Sequence, residues 1–222
     1  MLILIYRWQF IISQALCRHG RGSGCPTDLK ERIIETSLLL FEEYGYHGVT
    51  VNTIVKECGT SKGGFYHHFQ SKDELLFVIH DVFITYVLTK AQEAIAASAS
   101  PAKKMTMIIK SFVKVFDLYK PHISVFYQES MYLKPQYEAA IRRKRKSYKE
   151  MIFAVIEEGK ELGVFRPELP VEITGMSILG MVNWSYKWYK KDGEKTIDEI
   201  GDIFVDLVLQ SLLTDQAKKK EK

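Results

Sequence analysis

Hydrophobic side chains recur every three to four residues along the chain from about residue 27 to residue 213. In the first such segment Ile33, Leu38 and Phe41 share one face, with Thr27 as the predicted N-cap and Gly45 as the stop signal. No segment alternates apolar and polar residues with the period of two that a half-buried strand requires. The pattern therefore predicts an all-α protein.

Three short helical segments follow, each introduced by a hydroxyl residue suited to cap a helix N-terminus. Thr50 precedes a segment that ends at Gly59, Ser61 precedes KGGFYHHF, and Ser71 precedes a fourth helix that begins KDELL. The order of short helix, tight turn and short helix is typical of a helix-turn-helix. We predict a small helix-turn-helix DNA-binding domain over residues 26–72.

Longer apolar stripes begin after Asp73, and prolines and glycines mark their ends. The predicted long helices include one that starts at Ser100–Pro101 and others from about Gln136 to Leu162, Pro170 to Lys190 and Ile197 to Leu213. The third is apolar nearly all round between Ile173 and Trp188, so it must be covered on both sides. A larger helical domain is predicted over residues 73–215.

The composition is that of an ordinary globular protein, because 46% of the 222 residues are hydrophobic and 26% are charged. The formal charge of +4 permits a polyanionic partner without requiring one. Three cysteines, Cys17, Cys25 and Cys58, lack the spacing of a zinc site or a disulfide framework. We therefore expect a reducing compartment, no metal and no cofactor.

The first 25 residues are apolar up to Leu16 and then basic and glycine-rich. A secretory signal would carry its charge before the apolar stretch, whereas Arg7 lies inside it, and a transmembrane helix needs about 20 apolar residues. We predict a disordered or non-native extension over residues 1–25, with a peripheral membrane anchor as the alternative. A solvated lysine-rich tail over residues 216–222, a cytoplasmic location and no membrane partner are also expected.

Two adjacent glycines, Gly63 and Gly64, lie inside the third predicted helix, although each costs about 1 kcal/mol relative to alanine there. Because they lack Cβ atoms, they would let this helix come close to the major groove of DNA. Ser61 adds a hydroxyl where the helix dipole favours phosphate. The alternative is an αα-hairpin whose glycines merely permit tight helix packing.

Helical spacing sorts the neighbouring side chains into two faces. Phe65 and Phe69, four residues apart, are predicted to face the core, which leaves Lys62, Tyr66 and His67 facing outward toward phosphates or base edges. Acidic residues outnumber basic ones between residues 26 and 75, but between residues 50 and 72 a single glutamate opposes three lysines. The predicted contact surface is therefore locally basic.

The run TVNTIVKECGTSKGGFYHHFQSKDEL resembles the DNA-binding signature of the TetR family of bacterial transcriptional repressors, although Thr60 and Val55 stand where the family more often has valine and alanine. The resemblance implies a homodimer, joined through its last two helices, that binds a pseudo-palindromic DNA operator. A small-molecule effector would release it by shifting the fourth helix, which begins at Lys72–Asp73. The predicted DNA-binding residues are Thr50, Ser61, Lys62, Gly63, Gly64, Tyr66, His67 and Lys72.

A later stretch, GMVNWSYKWYKKDGEKTIDEIGDIFVDLVLQSLL, resembles the branch of the family that senses acyl-CoA thioesters and controls fatty-acid or sterol catabolism. A long apolar ligand of this kind suits a cavity of aromatic and methionine side chains. Aromatic residues are more often core residues, and packing is the alternative for them. The predicted ligand-binding residues are Phe112, Phe116, Phe126, Met131, Arg145, Trp184 and Trp188.

Arg145 lies on the apolar stripe of the longest predicted helix, between Ile141 and Tyr148, where a buried guanidinium must be paired. It would meet the anionic head of the ligand, or else form an internal ion pair or extend to a solvated face.

Two rival functions remain open. One is a multidrug-type sensor with a planar or cationic ligand, and the other is a helical lipid-binding or membrane-associated protein that uses the apolar N-terminus. The sequence has no nucleophile elbow, phosphate-cradling loop or partnered carboxylate pair, so we expect no enzymatic activity and no catalytic residues.

Overall fold

The computed structural model of the protein describes residues 28–220. The predicted extension over residues 1–25 and the predicted Thr27 cap lie outside this range. Within residues 28–220 the chain forms helices and no strand, apart from an isolated bridge between Phe165 and Leu213. The prediction of an all-α protein is confirmed.

The helices range from single turns to a helix of 27 residues. They are α1 (Leu29–Gly48), α2 (Val51–Cys58), α3 (Lys62–His68), α4 (Lys72–Ala97), α5 (Pro101–Leu118), α6 (Lys120–Glu129), α7 (Pro135–Glu161), α8 (Val171–Asn183), α9 (Ser185–Trp188), α10 (Ile197–Leu212) and α11 (Asp215–Lys220). A short 3-10 helix, Ser130–Tyr132, lies between α6 and α7.

Three predicted caps near the N-terminus are confirmed. The hydroxyls of Thr50, Ser61 and Ser71 each accept a hydrogen bond from the amide three residues on, at 3.1 Å. α2 ends at Gly59, whose φ of 69° is the left-handed conformation that glycine adopts without strain. α1 is capped by Asp28, whose carboxylate accepts from a backbone amide at 3.0 Å.

The predicted stop at Gly45 is a kink in α1 and not its end. Gly45 has a φ of 70°, and helical residues resume after it as far as Gly48. The extra turn carries Tyr46 into the protein interior, where it contacts the start of α4.

Two hydrophobic cores organise the described residues. We call α1 to α3 the head and the helices from α5 onward the body. The core of the head includes Ile33, Phe41, Ile54, Phe65, Phe69, Leu75, Leu76 and Ile79. Two helices contribute to both cores: α4 adds side chains to each, and α6 adds Val125 to the head core and Phe126 to the body core. The domain boundary predicted between residues 72 and 73 stays a prediction, since α4 belongs to both.

The body is a layered helical bundle. α5 packs against α4 and α10, while α7 packs against α4, α5 and α8. The predicted start at Ser100–Pro101 is confirmed, because the Ser100 hydroxyl accepts from a backbone amide of the first turn. α10 begins with a capping box between Thr196 and Glu199.

Two C-terminal predictions need correction. The helix predicted from Pro170 to Lys190 ends at Asn183, and α9 follows as a separate turn. The chain turns there because Tyr189 packs inward and donates its hydroxyl to Asp117 of α5 at 2.9 Å. The tail predicted from residue 216 continues as helix α11. No described helix combines the length and apolar character needed to cross a bilayer.

Candidate nucleic-acid interface and ligand cavity

The outward face of α3 carries most of the predicted DNA-binding residues. Phe65 and Phe69 anchor the helix, with 0% and 1% of their surfaces exposed. Lys62, Gly63, Tyr66 and His67 are exposed on the opposite side, and Tyr66 is 53% exposed. Two apolar anchors therefore fix a polar helix face at the surface of the head.

Thr50 and Ser61 are exposed at the N-termini of α2 and α3. Each hydroxyl accepts a bond from its own helix, and the Thr50 hydroxyl also lies 2.9 Å from that of Thr53. A hydroxyl oxygen that already accepts can still donate its hydrogen to a phosphate oxygen. The caps thus leave both residues able to take the predicted role.

The two adjacent glycines have different environments. A Cβ on Gly63 would meet only the Ser61 hydroxyl, at 3.6 Å, so this backbone is open to an approaching partner. A Cβ on Gly64 would lie 2.5 Å from the Thr60 hydroxyl and 3.3 Å from a methyl group of Leu29. Packing within the head accounts for Gly64, which is the alternative considered above, whereas close approach to DNA accounts for Gly63 alone.

Lys72 has an internal role that the sequence did not reveal. Its ammonium donates to the backbone carbonyls of Tyr46 at 2.8 Å and Val49 at 2.6 Å, and lies 4.0 Å from the centroid of the Tyr46 ring. Desolvation lowers the pKa of Lys72 from its usual value. These bonds satisfy carbonyls at the end of α1, so Lys72 joins α4 to the head and the predicted phosphate contact competes with that role.

Asp73, the next residue, completes this junction. One carboxylate oxygen accepts from the Tyr46 hydroxyl at 2.7 Å, and the other pairs with the Lys134 ammonium at 2.7 Å. Partial burial opposes ionisation, but the bonds from Lys134 and Tyr46 outweigh it and lower the pKa of Asp73. Sequence analysis missed Tyr46 and Lys134, because their spacing along the chain gives no sign that they meet.

A cavity of about 740 Å³ opens in the body between α4, α5, α6, α7 and α8. Its walls are mainly aromatic and aliphatic, and include Phe83, Ile84, Val87, Phe112, Phe126, Leu133, Ile141, Tyr148, Met176 and Leu179. Four of the seven predicted ligand-binding residues line it, namely Phe112, Phe126, Met131 and Arg145.

The other three predicted ligand-binding residues lie elsewhere. Phe116 lines a smaller cavity of about 320 Å³ between α6 and α9. Trp184 and Trp188 line neither cavity and are 60% and 44% exposed. The break between α8 and α9 turns both indoles outward, so the apolar helix predicted from sequence does not place them in the pocket.

The rim of the larger cavity is basic, since Arg142, Arg145, Lys146 and Lys149 line it together with Glu138. Arg142 pairs with Glu138 at 3.7 Å, and Lys146 pairs with a glutamate one helical turn away at 3.6 Å. Among the described residues, no carboxylate pairs with Arg145. A cation without a partner stands at the entrance of an apolar cavity.

The prediction that Arg145 is buried is wrong. Arg145 is exposed, and its guanidinium carbon lies 5.6 Å from the centroid of the Phe126 ring. Lys144 takes the inward position instead, and its ammonium pairs with Asp81 of α4 at 2.6 Å. One residue along a helix rotates a side chain by about 100°, which is enough to exchange an internal ion pair for a place at the rim.

An apolar surface remains uncovered on the C-terminal helices. Ile173 and Met176 of α8, Ile203 and Leu207 of α10, and Trp184 are exposed. We call these five residues the apolar face. Contiguous apolar surface of this kind marks a site of association.

A helix-turn-helix head on a helical body that encloses a cavity is the architecture of a DNA-binding regulator. The family model described as "Tetracyclin repressor-like, C-terminal domain" matches residues 98–212, more than half of the chain. The model "Bacterial regulatory proteins, tetR family" matches residues 33–79. The chain belongs to the TetR family of transcriptional regulators, and the resemblance is confirmed.

Individual relatives are more distant. The HTH-type transcriptional repressor KstR2 of Mycolicibacterium smegmatis is 23% identical over 196 residues, which cover 87% of this chain and 95% of that protein. The solved structure of the ketosteroid regulator KstR2 of Mycobacterium tuberculosis shares the fold, with a TM-score of 0.76, 23% identity and coverage of 88% and 100%. AibR in complex with isovaleryl coenzyme A and operator DNA has a TM-score of 0.69 and 26% identity, over 81% of this chain and 97% of AibR.

Proposed function

We propose that the protein is a homodimeric transcriptional repressor in the bacterial cytoplasm that an amphipathic anion, such as an acyl-CoA, releases from its operator. The observation that carries the effector assignment is the unpaired Arg145 at the basic rim of an apolar cavity. An acyl chain would fill the cavity, and the phosphates of coenzyme A would meet the rim. Guanidinium groups bind phosphate strongly, through paired hydrogen bonds.

The DNA-binding surface consists of Thr50, Ser61, Lys62, Gly63, Tyr66 and His67. Exposure of these side chains around the N-terminus of α3 supports this set. Lys62 and the helix dipole attract phosphate, while Tyr66 and His67 donate to phosphates or base edges. Gly64 and Lys72 act indirectly, since their contacts lie inside the protein.

Two copies associate through the apolar face, in keeping with the dimer predicted through the last helices. Leu207 and Met176, both more than half exposed, would be buried by a second copy. A twofold interface would set the two heads about 34 Å apart, in successive major grooves, and so match a pseudo-palindromic operator.

Two relatives support the effector class. KstR2 is named as a repressor, and AibR was solved with isovaleryl coenzyme A and operator DNA. The basic rim disfavours the cationic ligand of the rival multidrug sensor, because a cation would meet several positive charges at the entrance. The rival lipid-binding function depends on residues 1–25, which lie outside the described range.

DNA selection from a random pool tests the first part of the proposal, and the expected product is a palindrome of two half-sites. Titrations of that operator with palmitoyl-CoA, coenzyme A, palmitate and a panel of cationic drugs test the second. We expect palmitoyl-CoA to weaken operator binding about 5- to 150-fold, the range of typical coupling free energies. Release by the cationic drugs but not by palmitoyl-CoA would favour the rival sensor.

Arg145→Ala supplies the matched test of the rim. Direct binding of palmitoyl-CoA should weaken at least about tenfold, as expected for a lost charge-assisted contact of 1.5 to 3 kcal/mol. Arg143→Ala is the control, because Arg143 is an exposed arginine on the same helix that does not line the cavity. Equal effects of the two variants would contradict a specific role for Arg145.

A further inference from the structure

Six residues between α6 and α7 lie against both the head and the cavity. We call residues 129–134 the connecting segment, which contains the 3-10 helix and two extended residues, Leu133 and Lys134. Its side chains alternate in direction. Tyr132 and Lys134 contact the head, whereas Met131 and Leu133 line the cavity.

The contacts with the head are specific. The Tyr132 ring lies edge-on to His47, with centroids 4.2 Å apart, and stacks with Tyr46 at 6.0 Å. Lys134 pairs with Asp73, the carboxylate that also binds the Tyr46 hydroxyl. The segment therefore fixes the last turn of α1 against the first turn of α4, the two elements that position α2 and α3.

The contacts with the cavity lie at its entrance. Met131 lines the cavity although 78% of its surface is exposed. Leu133 is partly buried and packs against the cores of both head and body. A ligand that reaches Arg145 and Phe126 would also meet this part of the wall, because all four residues line the same cavity.

We propose that the connecting segment transmits effector binding to the head, with Tyr132 and Lys134 as positioning residues for DNA recognition. A ligand that displaces Met131 or Leu133 must also displace their neighbours, since alternate residues of one short segment cannot move independently. The head would then lose the contacts that hold Tyr46 and Asp73. The effector site itself rests on the proposed function, but the connection does not, because coupling between two sites is reciprocal.

Reciprocity gives a test that needs no effector. Operator DNA should change hydrogen–deuterium exchange in peptides that cover residues 129–134, where the Leu133 amide donates to the Ser130 carbonyl. We expect at least a twofold change in exchange rate in the wild-type protein. The double variant Tyr132→Leu/Lys134→Met should lose this response.

Two controls separate transmission from folding. Tyr132→Phe keeps the ring and should behave as the wild type, while Lys90→Met breaks an exposed ion pair with Glu93 that does not involve the head. Thermal unfolding of each variant checks the fold, and both altered side chains of the double variant are at least one-third exposed.

Palmitoyl-CoA provides the second readout. The double variant should bind it within about twofold of wild type, while its release from the operator falls from the wild-type factor to nearly one. Unchanged release, or wild-type exchange that operator DNA does not alter, would overturn the proposed connection. If exchange responds to DNA but palmitoyl-CoA releases nothing, the connection stands and the effector assignment fails.

Discussion

At the scale of single residues, adjacent positions that look alike in the sequence have different physical roles. Gly63 faces open space, and Gly64 faces Thr60 and Leu29. Lys62 is exposed at the start of α3, and Lys72 is bonded to two carbonyls at the end of α1. Residue type and helical spacing indicate that such positions matter, but only the packed neighbours decide how.

Alanine at the two glycines should separate these roles. Gly64→Ala should lower the free energy of unfolding by about 1 kcal/mol, because overpacking costs about 1 to 3 kcal/mol and the gain in helix propensity offsets part of it. Gly63→Ala should raise stability by up to about 1 kcal/mol and weaken operator binding. Urea unfolding and operator titration measure both; a stability loss at Gly63 larger than at Gly64 would reverse the assignment.

Lysine substitutions offer a second separation. Lys72→Met should destabilise the protein by about 1.5 to 3 kcal/mol, the range for hydrogen bonds made by a charged group. Lys62→Met should leave stability nearly unchanged and reduce the slope of log affinity against log salt by about one, as expected for one lost phosphate contact. A reduced salt slope for Lys72→Met in a protein that remains folded would restore the phosphate contact predicted from sequence.

At the scale of elements, periodicity and capping residues predicted α2, α3, α7 and α10 closely, because their limits depend on local signals. Thr50, Ser61 and Ser71 cap as expected, and Pro135 and Thr196 precede or open their helices. The break after Asn183 and the outward turn of the tryptophans could not be predicted. They depend on Tyr189 reaching α5, a contact between residues 72 positions apart.

The packing of α4 against α6 predicts a dependence of stability on pH. His80 is fully buried, with one ring nitrogen bonded to the Leu76 carbonyl and the other, Nε2, without a partner among the described residues. Burial, and secondarily the nearby His122, lowers the pKa of His80 to about 4, and burial lowers the pKa of His122 to about 4. Both imidazoles are therefore neutral in the folded protein at pH 7.

Because these folded-state pKa values lie below the unfolded value of about 6.5, the unfolded state binds more protons between pH 6.5 and pH 4. Stability should fall as pH decreases through that window, by about 2 kcal/mol for His80 between pH 7.5 and pH 5. Urea unfolding at the two pH values measures the loss. His80→Leu should be flatter by about that amount, and a variant with the wild-type slope would exclude His80 as the source.

At the scale of the whole molecule, the apolar face determines whether the regulator can work as a dimer. One head alone contacts one half-site, whereas two linked heads gain about 10² to 10⁴ in affinity through effective concentration. The sequence predicted an apolar helix that required cover. It could not show which of its side chains the protein's own helices leave exposed, since that depends on how α8 crosses α7.

Met176→Glu/Leu207→Glu places two charges on the apolar face, on α8 and α10. Because burying unpaired charges in an interface costs several kcal/mol, the variant should sediment as a monomer where the wild type sediments as a dimer. Its operator affinity should fall by about 10² or more, while binding to a single half-site changes little. Leu118→Glu is the control, because Leu118 is 48% exposed at the end of α5, outside the apolar face. A double variant that remains dimeric and retains operator affinity would place the subunit interface on another surface.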